Sequence, residues 1–218
     1  PREAWEEING LYHFTRDNLQ GGLTKRGRFA FLSTVIRRVQ TLTGLLAGCM
    51  SQGEGYSFIQ LGRHLERADM ITRILDVRTA SLIQGDVPDL RTFDNIQWMS
   101  VLKSLTGYQM YRLEMQGRVQ RTEVLRFLLQ SDRFPRSVLR CLNELASRTA
   151  TLGPSHEAPL RAVNRLQRLL AEAEMHTLSQ DRLHAFIDDL QLGFADVHSA
   201  IETAFFHRDS SATSAATA

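Results

Sequence analysis

The sequence predicts an all-α bundle of about six to eight helices arranged round one long central helix. Apolar residues recur at steps of three and four in segment after segment, the spacing of a helix face. The period-2 alternation of a half-buried strand does not compete with it anywhere. Gly53–Leu82 runs about thirty residues without a proline, enough for roughly 45 Å of continuous helix.

In chain order, Pro1–Leu19 opens with a proline at a helix start and carries Trp5, Ile8, Leu11, Tyr12 and Leu19, ending near Gly21–Gly22. Arg28–Met50 follows, with Phe29, Leu32, Val35, Ile36, Val39, Leu42, Leu45 and Leu46 on one face. Ser51–Gly55 turns into the central helix, and Gly85–Thr92, with Pro88 and two aspartates, is a loop. Phe93–Ser104 and Tyr108–Met115 are one kinked helix or two short ones. A short helix begins at Thr122–Glu123 and closes at Ser131–Asp132; Pro135 then sits where a first-turn proline is tolerated, leading into a helix over Val138–Thr151. Gly153–Pro159 is a loop, Leu160–Met175 an amphipathic helix, and Gln180–Phe206 a long closing helix. Residues 1–207 are expected to form the bundle, as one domain or two closely packed helical subdomains. Residues 208–218, small and polar, are expected to be a disordered tail.

The central helix carries an ordinary core stripe of Phe58, Leu61, Leu65, Ala68, Thr72 and Leu75, within about 100° of a wheel at 100° per residue. Beside it stand Glu66, Asp69, Arg73 and Asp76, with Gly62, flanked on the other side by Ile59, Met70 and Val77. Arg63, Arg67 and Arg78 fall on the far face. The first charged row is therefore expected to be semi-buried and the second solvated. Asp69 and Asp76 stand four and three residues from Arg73, so both carboxylates are placed to reach its guanidinium. The closing helix repeats the pattern: Leu183, Ile187, Leu190, Phe194, Val197 and Ile201 form a core row, bordered by His184, Asp188, Gln191, His198 and Glu202.

With 26 Lys+Arg against 24 Asp+Glu the net charge is only +2, which gives no support to a nucleic-acid role. No run of about 18 apolar residues is present, so no membrane span is expected. Cys49 and Cys141 lie far apart, in no metal-ligand spacing, and read as buried thiols of a reducing compartment. The N-terminal PREAWEEINGLYHF has neither a secretory pattern nor an initiator Met. A cytoplasmic protein is expected, its chain beginning partway through something longer.

Four constellations bear on chemistry. The Glu66–Arg67–Asp69–Arg73–Asp76 set reads either as an internal ion-pair network that fixes helix register or as a polar pocket for an anionic or amide-bearing ligand. Glu66 and Asp69 are its candidate acid–base pair, with Arg67 and Arg73 orienting them. His184/Asp188 and His198/Glu202 repeat a His-x-x-x-acid spacing, but the Glu-x-x-His motif of bundle metal sites is absent; interhelical histidines are the expected reading, a metal the lesser one. Gly21–Gly22 and Gly53–Glu54–Gly55 match no phosphate loop. Cys49 near His64 is the one candidate nucleophile, and no spacing supports it. No cofactor is implied. Arg63, Glu66, Arg67, Asp69, Arg73, Asp76, His198 and Glu202 are the expected ligand- or partner-binding residues.

Tyr56–Val77, YSFIQLGRHLERADMITRILDV, resembles the signature of the alpha-E family, a bacterial all-helical family named for a Glu-Arg motif, here Glu66-Arg67. The resemblance continues through Val124–Leu139 (VLRFLLQSDRFPRSVL) and through LHAFIDDLQ and VHSAIETAFF of the closing helix. Family proteins are usually longer and open with an earlier helix bearing its own ER pattern, so the resemblance implies that this chain corresponds to the C-terminal two thirds. A partner or a second copy would then cover what remains uncovered on the central helix. The resemblance also implies a setting: an accessory module beside circularly permuted ATP-grasp ligases and transglutaminase-like proteins that form or modify peptide amide bonds. A peptide ligand and a homo-oligomer are further expectations; an enzyme acting on an amide through Glu66 and Asp69, and a structural or metal-stabilised bundle, are the alternatives.

Overall fold

A computed structural model describes residues 1–83 and 91–206, and the side chains of 1–78 and 95–206. The tail expected at 208–218 lies outside the described residues, as does the expected loop at Gly85–Thr92 up to residue 90. Nine α-helices and no strand occur among the described residues: α1 Arg2–Gly22, α2 Arg28–Cys49, α3 Glu54–Ile83, α4 Arg91–Ser104, α5 Tyr108–Met115, α6 Arg121–Leu125, α7 Val138–Ala150, α8 Glu157–Glu172 and α9 Gln180–Phe205. The all-α bundle with one long central helix is what the spacing predicts.

The chain divides into two compact units, Pro1–Tyr56 and Ser57–Ala218. The first is an antiparallel hairpin of α1 and α2. Phe14 and Phe31 stack at 5.7 Å between ring centroids, and Arg38 Nη1 meets Glu7 Oε1 at 3.3 Å. Gly22 lets the chains approach, because a Cβ there would lie 2.4 Å from the Phe31 ring. The apolar face expected on α2 is present but not packed: no α2 residue is buried, and Phe29 is 83% exposed.

The second unit holds the core. Leu61, Ala68, Thr72 and Leu75 of α3 are buried as the wheel places them, and Phe58 and Leu65 are half-buried. They share the interior with Trp98 and Leu102 of α4, Leu142 and Leu145 of α7, Val163, Leu166 and Leu170 of α8, and Leu183, Ile187, Leu190, Phe194 and Val197 of α9. α4 and α5 are two helices, not one kinked one; Thr106 adopts a positive φ of 53° between them. α6 runs into a π-helical turn, Arg126–Gln130, whose Gln130 Nε2 donates to the carbonyls of Leu170 and Ala173 at 2.7 and 2.9 Å. The C-terminus of α8 is thereby capped by a side chain.

One helix start matches expectation and one differs. α7 begins at Val138 as the sequence predicts, after Ser137, whose hydroxyl accepts from the Arg140 N–H at 3.1 Å. α8 begins at Glu157, so Pro159 is its buried first-turn proline instead of the end of a loop. α8 also ends at Glu172, and Met175 is buried in the segment beyond it.

Two glycines separate packing from propensity. A Cβ at Gly193 of α9 would meet Leu166 Cδ2 of α8 at 2.3 Å, whereas one at Gly62 of α3 would meet nothing within 4 Å. Gly193→Ala should lower the melting temperature, the overpacking cost of about 1–3 kcal/mol exceeding the helix-propensity gain of about 1. Gly62→Ala should raise it by roughly 2–4 °C. Calorimetry of the two variants checks the pair.

Candidate functional site

α3 and α9 run antiparallel and are joined at both ends. At one end Phe58 meets Phe205 and Phe206 edge-on, each at 5.3 Å. At the other, Asp76 Oδ1 lies 2.6 Å from His184 Nδ1. The paired residue numbers add to 263 and 260 at the two ends, so the register holds over the roughly 27 Å between them. Glu66 therefore lies level with Ala195, midway between the two contacts.

There the helices leave a groove of about 420 Å³, lined by Gly62, Leu65, Glu66, Asp69 and Arg73 of α3 and by Gln191, Phe194, Ala195 and His198 of α9. Glu66, Asp69, Arg73 and His198, four of the residues singled out by spacing, thus converge on one site. Gln191 sat on the same polar row; Leu65 and Phe194 were assigned to the core rows, whose edges form the apolar wall. Gly62 contributes by lacking a side chain.

The remaining candidates lie elsewhere. Arg67 is half-buried and reaches the Pro135 carbonyl with Nη1 at 3.2 Å, tying α3 to the segment before α7. Arg63 is half-buried; Glu202 is exposed one turn past His198. Neither lines the groove.

Two expectations about the charged rows are corrected. Arg73 is not shared by two carboxylates: its Nε donates to Asp69 Oδ2 at 2.6 Å, while Asp76 is taken by His184 across the helix pair. The rows also do not divide into semi-buried and solvated. Glu66 and Arg73 are exposed and Asp69 and Asp76 half-buried, whereas Arg78, expected in solvent, is 8% exposed. The reason is α4, whose fully buried Trp98 lies against that face with the Arg78 guanidinium 5.4 Å from its ring.

The metal reading has no geometry behind it. His184 is engaged by Asp76, with Asp188 at 3.7 Å. Among the described residues no group of three or more His, Cys, Asp or Glu side chains is arranged to hold an ion. The cysteines differ from one another: Cys49 of α2 is exposed, contrary to expectation, and Cys141 is buried. Burial pushes the Cys141 thiol up to about 11, so it stays protonated and poorly nucleophilic. His64, half-buried on α3, is lowered to about 4 by burial and then by Arg67. It is neutral at physiological pH, and its buried Nδ1 has no hydrogen-bond partner among the described residues.

The groove itself offers a distinct set of groups. The hydrogen bond from Arg73 to Asp69 holds the Arg73 guanidinium above its ordinary range and satisfies both charges locally. Gln191 Nε2 is buried and has no hydrogen-bond partner among the described residues, while the Gln191 side chain lines the groove. Glu66, one turn away from the Asp69–Arg73 pair, is the exposed carboxylate. An unused amide donor, an exposed carboxylate and an apolar wall suit a ligand carrying a carbonyl and an N–H, as an amide does.

No helix among the described residues is long and apolar enough to cross a membrane. In comparison with known proteins, the model of the Alpha-E family, described as a predicted alpha-helical domain with a conserved ER motif, matches residues 1–206. No curated protein and no solved structure matches the chain.

The Asp76–His184 contact gives a pH dependence of definite sign. The Asp76 hydrogen bond, followed by the charge of Asp188, raises His184 above 6.5. A raised folded value favours the native state fully below about 6.5 and loses that contribution as pH rises through the folded value. Wild type should therefore melt above His184→Gln at pH 6, with the gap closing as the pH is taken to 9. A thermal-shift series on both proteins measures it; a gap constant with pH would contradict the protonated contact.

Proposed function

The chain belongs to the Alpha-E family, and from that membership together with the α3–α9 groove we propose that it is a helical accessory module of a peptide amide-bond-forming or amide-bond-modifying system. Its partners are a circularly permuted ATP-grasp ligase and a transglutaminase-like protein. The groove holds a peptide segment of the ligase or of its substrate. The observation that carries this reading is the groove, where the Gln191 side-chain amide and the exposed Glu66 carboxylate stand beside the apolar Leu65 and Phe194. A peptide group is the ligand that answers both at once, its carbonyl accepting from Gln191 and an N–H donating to Glu66. Leu65 and Phe194 supply the apolar contact that an extended segment needs.

The geometry supports binding better than catalysis by Glu66 and Asp69. Asp69 is paired with Arg73 at 2.6 Å, so its carboxylate is already engaged within the chain. Glu66 is exposed to solvent, and a solvated carboxylate is placed to accept a hydrogen bond from a ligand N–H.

Gly62 gives a test that leaves the core alone, since a side chain added there projects into space lacking any atom within 4 Å. Gly62→Leu should fill the groove, and Glu66→Gln should remove its carboxylate. Each should weaken association with the ATP-grasp ligase of the same organism by about tenfold or more, which is about 1.4 kcal/mol. Isothermal calorimetry with purified ligase reads this directly. Absence of any complex, or an affinity unchanged by both variants, would contradict the proposal.

A further inference from the structure

The hairpin of the first unit leaves more apolar surface in water than any other part of the described chain. Trp5, Ile8, Tyr12, Leu19 and Leu23 are exposed along α1 and its C-terminus, and Phe29, Leu32, Ile36 and Val39 along α2. Their spacing is three, four and seven on α1 and three, four and three on α2, the rhythm of a seam that packs against another helix.

The two stripes form one surface. On wheels of 100° per residue, the exposed stripe of α1 stands about 115° from its contact row of Glu7, Leu11, Phe14 and Asn18. On α2 the stripe stands about 130° from Phe31 and Arg38, in the same rotational sense. Because the helices are antiparallel, equal sense puts both stripes on the same side of the hairpin. Register agrees. The contacts Glu7–Arg38 and Phe14–Phe31 both join residues whose numbers add to 45. In that register Trp5, Ile8 and Tyr12 lie level with Val39, Ile36 and Leu32, giving three apolar layers two helices wide.

We infer that this face is where a second copy of the chain docks, two hairpins closing face to face into a four-helix bundle about a two-fold axis. Area is the first argument. At 150–250 Å² per aromatic side chain, the exposed parts of Trp5, Tyr12 and Phe29 leave roughly 300–550 Å². With the six aliphatic side chains the face reaches on the order of 800 Å², the share each partner contributes to an interface of standard size. Lone monomers rarely leave so large a contiguous patch in water.

Charge is the second argument. α1 carries Glu3, Glu6, Glu7 and Asp17 against Arg2 and Arg16, whereas α2 carries Arg28, Arg37 and Arg38 and no acid. Within the chain the only ion pair between them, among the described residues, is Glu7–Arg38. Arg37 reaches Thr34 Oγ1 and Arg28 the Leu23 carbonyl, neither a carboxylate. With the two-fold axis along the bundle, each basic α2 lies between its own acidic α1 and that of the other copy. The copy thus supplies both the matching apolar layers and the opposite charge.

Sedimentation velocity on the full chain, across a micromolar concentration series, tests this. The wild type should approach twice the 24.7 kDa chain mass. Ile8→Glu with Ile36→Glu should raise the dimer dissociation constant at least a hundredfold, and Arg37→Glu, outside the apolar layers, about tenfold. Leu113→Glu, an equally exposed leucine on α5, should leave the dimer intact. A wild type monomeric throughout, or a dimer that survives the double substitution with its helical circular dichroism unchanged, would overturn the inference.

Discussion

The antiparallel pairing of α3 with α9 is the constraint on which the candidate site depends. An aromatic contact at one end and a carboxylate–imidazole contact at the other fix two points of the register, and two points determine every level between them. Neither contact is strong alone. An edge-on aromatic pair contributes about 0.5–1.5 kcal/mol, and the exposed His184 contact is screened by water. The buried rows Leu61–Leu75 and Leu183–Val197 supply the larger force, and the end contacts decide the alignment in which those rows are buried. The groove is what remains where Gly62 and Ala195 leave the space between the helices unfilled.

The Glu66-Arg67 dipeptide at the centre of α3 has two unrelated tasks, and helix geometry explains why. Adjacent residues point about 100° apart, and here Arg67 falls outside the groove that Leu65 and Glu66 line. Glu66 opens onto the groove. Arg67 turns to the Pro135 carbonyl and anchors α3 to the entry of α7, with its charge helping to keep neighbouring His64 neutral. A motif that reads as one unit therefore divides between a groove-lining carboxylate and a structural tie. The Asp69–Arg73 pair one turn on keeps the groove's charge nearly balanced around Glu66.

Much of this arrangement was readable in the sequence, because helical periodicity alone assigns residues to faces. The core row of α3 and the polar row of α9 follow from steps of three and four, whereas the convergence of Glu66, Asp69, Arg73 and His198 needs the pairing of α3 with α9, which no spacing within one helix announces. Periodicity does not say what covers a face. Arg78 was placed in solvent because nothing in its own helix announces Trp98 of α4, and an arginine over an indole face is as compatible with a wheel as one in water. Asp76 was given to Arg73 because that partner is local, while His184 is more than a hundred residues away. The stripe of α2 illustrates the opposite error. Its apolar spacing is real, yet the described chain does not bury it.

The two units thus present surfaces of different kinds: a broad apolar face on the α1–α2 hairpin and a narrow polar groove between α3 and α9. The first suits permanent helix packing, and the second suits selection of a peptide by its hydrogen-bonding groups. The central proposal is that the Gln191 side-chain amide of the groove pairs with a bound peptide carbonyl. Nitrogen-edited NMR of the Gln191 side-chain NH₂, before and after addition of the ATP-grasp ligase, tests it most directly. The account predicts a shifted resonance and slower exchange of those protons with water in the complex. A complex that forms while the Gln191 resonance and its exchange rate stay unchanged would contradict it.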